Sequence, residues 1–154
     1  MAIYPVLAHE PAPELLSMPV GVDFSVIFRD GDFLTRDVTT PEPVLLRDAT
    51  GNLAELARTA LRAAGDRRFR LDLPGYDHLS ASLILIMPLL LPSLPLRGAP
   101  VIAIGDRTSL HVCGSSDSDG VALLRTLARE HFDEGAAPVT PELQTLVEGV
   151  IRPF

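Results

Sequence analysis

Residues 79–96 carry no charged side chain, and this run constrains the fold more than any other feature of the chain. At eighteen residues it reaches the lower edge of what crosses a bilayer as a helix. Pro88, Pro92 and Pro95 would interrupt such a helix at three places, and Ser80, Ser82 and Ser93 dilute it. No cationic cluster flanks it. The run therefore reads as interior: a central buried strand over residues 80–87, then a stretch over 88–96 that periodicity does not assign. No integral membrane segment is expected, and peripheral attachment through residues 88–96 would require that stretch to be exposed.

An interior of this size needs a chain able to surround it. With 154 residues, 47% of them hydrophobic, and a mean hydropathy of +0.26, the sequence suits one domain with an ample core and excludes wholesale disorder. Thirteen arginines stand against twenty acidic residues, so the net charge is -7 and phosphate backbones are repelled. No nucleic-acid partner is expected, since Arg67, Arg68 and Arg70 are bracketed by Asp66 and Asp72. The chain has no lysine, which excludes Schiff-base chemistry, a P-loop and S-x-x-K catalysis. Abundant Ala, Arg, Pro and Gly suggest a bacterial coding background. The single cysteine, Cys113, allows no internal disulfide and fits the cytoplasm. Residues 1–21 form a proline-rich segment without the basic start of a secretory signal.

Alternation at Val22, Phe24, Val26 and Phe28, followed by Asp30-Gly31 and then residues 33–38, predicts a β-hairpin. Thr39 to Glu42, with its flanking prolines, reads as a loop. Leu53, Leu56, Ala57, Ala60, Leu61 and Ala64 fall on one helical face, so a helix is expected over residues 53–64, capped by Asn52 and stopped by Gly65. Strands are expected over 69–73, 101–104 and 109–113, the last two as a hairpin. A second helix should begin at Ser116, with Asp119 three residues on, and present Val121, Leu124, Leu127, Ala128, His131 and Phe132 inward. Alternation at Leu143, Thr145 and Val147 adds a final strand. The expected class is α+β: a mixed, mainly antiparallel sheet carrying two main amphipathic helices, in a single domain.

The order of Ser80-Ala81-Ser82-Leu83-Ile84-Leu85, Pro100-Val101-Ile102-Ala103, Asp106-Arg107 and Leu124-Arg125-Thr126-Leu127-Ala128-Arg129-Glu130, running into Glu134-Gly135, Pro138 and Thr140-Pro141-Glu142-Leu143, resembles the bacterial YtpQ-type family. Leu53-Ala54-Glu55-Leu56-Ala57 lies where that family has an amphipathic helix, so the resemblance spans residues 22–150. Gly105, Thr108 and residues 88–91 depart from its pattern. The family is a domain of unknown function, so the resemblance implies no reaction class.

Chemistry-bearing motifs are sparse. Asp117-Ser118-Asp119-Gly120 imitates the start of a calcium loop but lacks its later ligands, and reads as a helix N-terminus. His9, His78, His111 and His131 show no zinc-ligand spacing. Cys113 and His111 project in parallel from one strand, which favours a buried thiol over a nucleophile and base. No metal, cofactor or catalytic residue is expected. The candidate ligand-binding residues are Tyr76, Asp77 and His78 before the apolar run, and Asp106 with Arg107 at the hairpin tip. If these loops meet, Arg107 would orient a carboxylate or a partner's acidic group. The competing reading of the same residues is turn chemistry with a solvent-screened ion pair. The leading functional expectation is a non-catalytic protein-interaction or regulatory module, a homodimer meeting through residues 83–96. The alternative is a small-ligand binder or enzyme using the two loops.

Overall fold

The N-terminal prolines do not keep the chain out of the core. In the computed structural model, which describes residues 2–154, Tyr4–Ala8 forms β1, with Val6 and Leu7 fully buried. Strands β2 (Ser17–Pro19) and β3 (Ser25–Asp30) follow, and β3 lies between β1 and β2, antiparallel to both. The predicted hairpin turns at Gly31, whose φ of 73° suits a residue without Cβ. Its second arm is shorter than expected: β4 covers Asp32–Phe33, and the chain then leaves to bond Leu16, whose amide donates to the Leu34 carbonyl.

Helix α1 spans Glu42–Ala60 and begins eleven residues before the expected start at 53. Pro41 and Pro43 read as loop residues in sequence, yet a helix tolerates proline in its first turn because those amides lack intrahelical partners anyway. The buried stripe is Leu45, Ala49, Leu53 and Ala57, at a spacing of four. Asn52 is therefore no cap. It sits mid-helix, and its Nδ2 donates to the Ile3 carbonyl at 2.9 Å, fastening α1 to the start of β1. Gly65, the expected stop, instead turns β5 (Arg62–Ala64) into β6 (Arg68–Asp72) with φ 114°.

The expected strand over 80–87 is the main correction. After a 3₁₀ turn at Asp77–Leu79, Ala81–Ile86 forms a 3₁₀ helix that continues into α2 (Met87–Leu90) and a last 3₁₀ turn at Leu91–Ser93. An all-apolar run has no polar face to reveal its period, so a buried helical segment and a central strand look alike in sequence. Leu79, Leu83, Ile84 and Met87 are at most 1% exposed, whereas Leu89 is 67% exposed. The expected interface segment is thus interior in its first half and surface only in its second.

Strands β7 (Pro100–Ala103) and β8 (Leu110–Gly114) form the predicted hairpin, and α3 spans Ser118–Glu134. Its N-cap is Asp117, whose Oδ1 accepts from the Gly120 amide at 3.0 Å, in place of the expected Ser116 and Asp119. The tail makes two strands rather than one: β9 (Gln144–Val147) and β10 (Val150–Pro153), joined by Glu148-Gly149, both at positive φ. The second sheet therefore runs β10-β9-β7-β8-β6-β5. Every strand pairing is antiparallel, and the class is α+β with two sheets.

Strand alternation divides the six-stranded sheet between two cores. Phe69, Leu71, Ile102, Leu110 and Val112 face the larger one, shared with β1, β3, α1 and the 3₁₀ segment. Val101, Ala103 and Cys113 face the smaller one, closed by Leu124 and Ala128 of α3. Among the described residues no helix is long and apolar enough to cross a membrane.

Candidate functional site

The two candidate loops meet. The amide of Ala81, just past the Asp77–Leu79 turn, donates to the Arg107 carbonyl at 3.1 Å, so the loop before the apolar run is clasped to the β7–β8 turn. Tyr76 is exposed on this turn and His78 is half-buried.

Asp106 and Arg107 point in opposite directions. Asp106 is 6% exposed, and both of its oxygens are occupied. Oδ1 accepts from the Thr108 amide at 2.9 Å and hydroxyl at 2.7 Å, and Oδ2 accepts from the Ala137 amide at 3.0 Å. This carboxylate folds its own turn and ties it to the chain beyond α3, as turn chemistry predicts.

Arg107 reaches across to the other sheet. Its Nε donates to the Leu7 carbonyl at the end of β1, at 3.1 Å, and its guanidinium carbon lies 5.9 Å from the centroid of the Phe33 ring. A second arginine shares that ring. Arg29 is the cross-strand partner of Phe33 across the Gly31 turn, and its guanidinium carbon is 5.6 Å from the same centroid. Arg29 Nε donates to the Gly31 carbonyl at 2.8 Å. Both arginines thus use Nε on a backbone carbonyl, which fixes the fork, and their remaining nitrogens have no protein acceptor among the described residues.

Among the described residues five of the thirteen arginines are ion-paired, and the two at Phe33 are not among them. Arg68 grips Asp117 with two bonds of 2.7 and 3.0 Å, and Arg70 holds Asp72 at 3.0 Å. Among the described residues, neither Arg29 nor Arg107 has a carboxylate oxygen within 4.0 Å, although acids outnumber arginines twenty to thirteen. Burial lowers the Arg107 pKa, and Arg29 lowers it further against the pull of Asp106. Burial also lowers the His78 pKa, helped by Arg29 and Arg107 and opposed by Asp77. The two guanidiniums and the Phe33 ring form a cationic, aromatic-backed patch.

On the Asp106 side, a groove of about 510 Å³ lies between the C-terminal half of α3 and the sheet, lined in part by Arg70, Ser109, His111, Leu127, His131 and Glu134. The His111 and His131 rings are 5.7 Å apart, and Ser109 Oγ lies 3.2 Å from His131 Nδ1. The pair resembles a nucleophile and base, but no carboxylate orients His131, and the Ser109 and Thr108 amides are taken by Asp106. Burial, His131 and Arg70 bring His111 down to about 4 against Asp72. No three His, Cys, Asp or Glu side chains among the described residues converge to hold a metal. Cys113 is buried under α3, and burial raises its pKa above the ordinary thiol range.

No protein-family model, curated protein or solved structure matches the chain. The reading of the site therefore rests on its own residues. Sequence reasoning selected His78 and Arg107 but missed Arg29 and Phe33. The usable signal was the Asp30-Gly31-Asp32 turn, which sets the residues on either side of it face to face.

Proposed function

We propose that the chain is a non-catalytic interaction module that docks an acidic segment of a protein partner on Arg29, Arg107 and His78. The observation that carries this is the pair of fixed, carboxylate-free guanidinium forks over one phenylalanine in a chain of net charge -7. Such forks match carboxylates bidentately, and arginine stacked on an aromatic ring such as Phe33 is the composition of binding hot spots. A polyanion would meet the long-range repulsion of the whole chain, whereas a short acidic segment reaches the local field alone. An enzyme built on both loops would need Asp106 free, and its oxygens are engaged. The lone thiol is compatible with a reducing compartment, the composition with a bacterial source, and the YtpQ-type likeness with a module lacking a reaction.

Fluorescence anisotropy with a labelled Glu-rich peptide and its Gln counterpart tests the reading. The Glu peptide should bind and the Gln peptide should not, and Arg29→Ala should weaken binding about tenfold or more. Equal binding of both peptides, or an Arg29→Ala, Arg107→Gln double variant that binds as the parent does, overturns it.

One observation favours self-association as a second reading. Leu89 stands beside a hollow of about 330 Å³ lined by Thr50, Gly51 and Ala54, and a Cβ at Gly51 would meet nothing within 4 Å. A mid-helix glycine costs about 1 kcal/mol and nothing inside the protomer requires it here. Leu89 of a second copy would fill the notch in a two-fold arrangement. A concentration-dependent mass in sedimentation, abolished by Leu89→Asp, supports the homodimer, and a monomer mass at all concentrations refutes it.

A further inference from the structure

We propose that His111 and His131 form a two-imidazole site for a divalent transition-metal ion of the zinc class, which clamps α3 to β8. The site lies on the Asp106 side of the β7–β8 turn, in the groove between α3 and the six-stranded sheet. It uses neither arginine of the docking patch, so the two readings stand or fall separately.

Each ring stands on a rigid element, His111 on β8 and His131 on α3. The strand register sets His111 between Arg70 of β6 and Ala103 of β7, so its backbone is fixed from both sides. The ring centroids are 5.7 Å apart and the planes are inclined at 36°. An ion about 2.0–2.1 Å from one nitrogen of each ring holds the centroids about 5–6 Å apart, so the observed separation needs little adjustment. Ser109, itself only 6% exposed, places Oγ 3.2 Å from His131 Nδ1. A partner on one ring nitrogen is what orients the other toward a metal. His111 Nδ1 is buried without a hydrogen-bond partner, so nothing in the protein competes for that nitrogen. The two histidines meet only through the fold, which is why their spacing in sequence does not show them.

Neutral nitrogen donors select zinc, copper or nickel over magnesium and calcium, which take oxygen. The local field suits a cation. Arg70, Asp106 and Glu134 are the charged residues lining the groove, and the Arg70 charge is matched by Asp72 at 3.0 Å. Glu134 has no cationic partner within 4.0 Å among the described residues. No third donor converges on the pair, so water fills the remaining positions and the ion exchanges through the groove of about 510 Å³. Bound there, it adds a link across the smaller core, where Leu124 and Ala128 of α3 close over Val101, Ala103 and Cys113.

Isothermal titration calorimetry of the full chain with zinc chloride, and with magnesium chloride as the control, tests the site. The expected result is one zinc per chain, no uptake of magnesium, and a thermal midpoint that rises with zinc concentration. Saturable binding should be lost in His111→Gln and in His131→Gln, and Ser109→Ala should bind about tenfold more weakly. NMR of the histidine rings reads the site in the parent chain, so it decides the matter even where a variant fails to fold. Zinc should perturb His111 and His131 together and leave His9 and His78 unmoved. No saturable zinc binding, binding unchanged in both histidine variants, magnesium competing for the same rings, or perturbation of His9 or His78 in their place overturns the proposal. Arg29→Ala should take up zinc as the parent does, whatever becomes of the acidic peptide, so failure of the metal site and failure of the docking patch are told apart.

Discussion

At the scale of single residues, neighbours in sequence carry unlike duties. Asp106 is itself buried and accepts from two backbone amides and the Thr108 hydroxyl, so Asp106→Ala should cost about 3 kcal/mol in urea unfolding at pH 7. Arg107→Ala loses a single bond to the Leu7 carbonyl and should cost about 1 kcal/mol. Equal losses would mean that Asp106 is not the anchor of its turn. Acid titration separates two further groups. His111 has a folded pKa of about 4 against an ordinary 6.5, so the unfolded chain binds a proton that the fold refuses. Stability should be full above 6.5 and decline as pH falls toward 4, and His111→Gln should flatten that decline. Asp117 is lowered to about 2 by its bond from Arg68, then by the Gly120 amide, with the charges of Arg68 and Arg67 helping and burial opposing. Its contribution is present above 3.8 and disappears as pH falls toward 2, a further loss that Arg68→Ala should reduce. Residue identity made these groups candidates, but direction and partners came from the backbone around them.

At the scale of elements, punctuation was legible where it acts locally. The Asp-Gly and Pro-Gly turns, the β7–β8 hairpin and the α3 stripe need only nearby residues to form. Contacts between elements were not legible. Gly105 looks like a loop residue, yet a Cβ there would fall onto the Ala128 carbonyl oxygen and lie 2.8 Å from the His131 Cβ, so α3 crosses the β7–β8 loop at a distance only glycine permits. Gly105→Ala should lift α3 and destabilise by about 2 kcal/mol. A thermal midpoint equal to that of the parent would show that the helix has room to move.

At the scale of the whole molecule, the N-terminal segment stitches the two halves. Val6, Leu7 and Ala8 lie in the larger core, β1 pairs with β3, and the Leu7 carbonyl receives Arg107 from the other sheet. Burial of side chains such as Val6 and Leu7 is worth about 2 kcal/mol each, a large share of the roughly 5–15 kcal/mol that holds a domain together. A chain lacking residues 2–9 should therefore show no cooperative unfolding transition by circular dichroism. A sharp transition would mean that β1 is an addition to a core that stands without it. The same stitch builds the arginine patch, because Arg107 meets Phe33 and Arg29 only when the sheets share a core.

By itself the sequence determined what local chemistry and composition decide: an α+β chain with a mainly antiparallel sheet, turns at Asp30-Gly31 and Pro74-Gly75, and Tyr76, Asp77, His78, Asp106 and Arg107 as the polar residues to watch. Tertiary structure alone decided that residues 81–86 coil instead of extending, that α1 begins at Glu42, and that Arg29 and Phe33 complete the patch. The reason is the range of the forces. Capping, turn and alternation signals act over a few residues, whereas burial on all sides hides the period of a segment, and long-range packing brings together side chains 78 positions apart, as it does for Arg29 and Arg107.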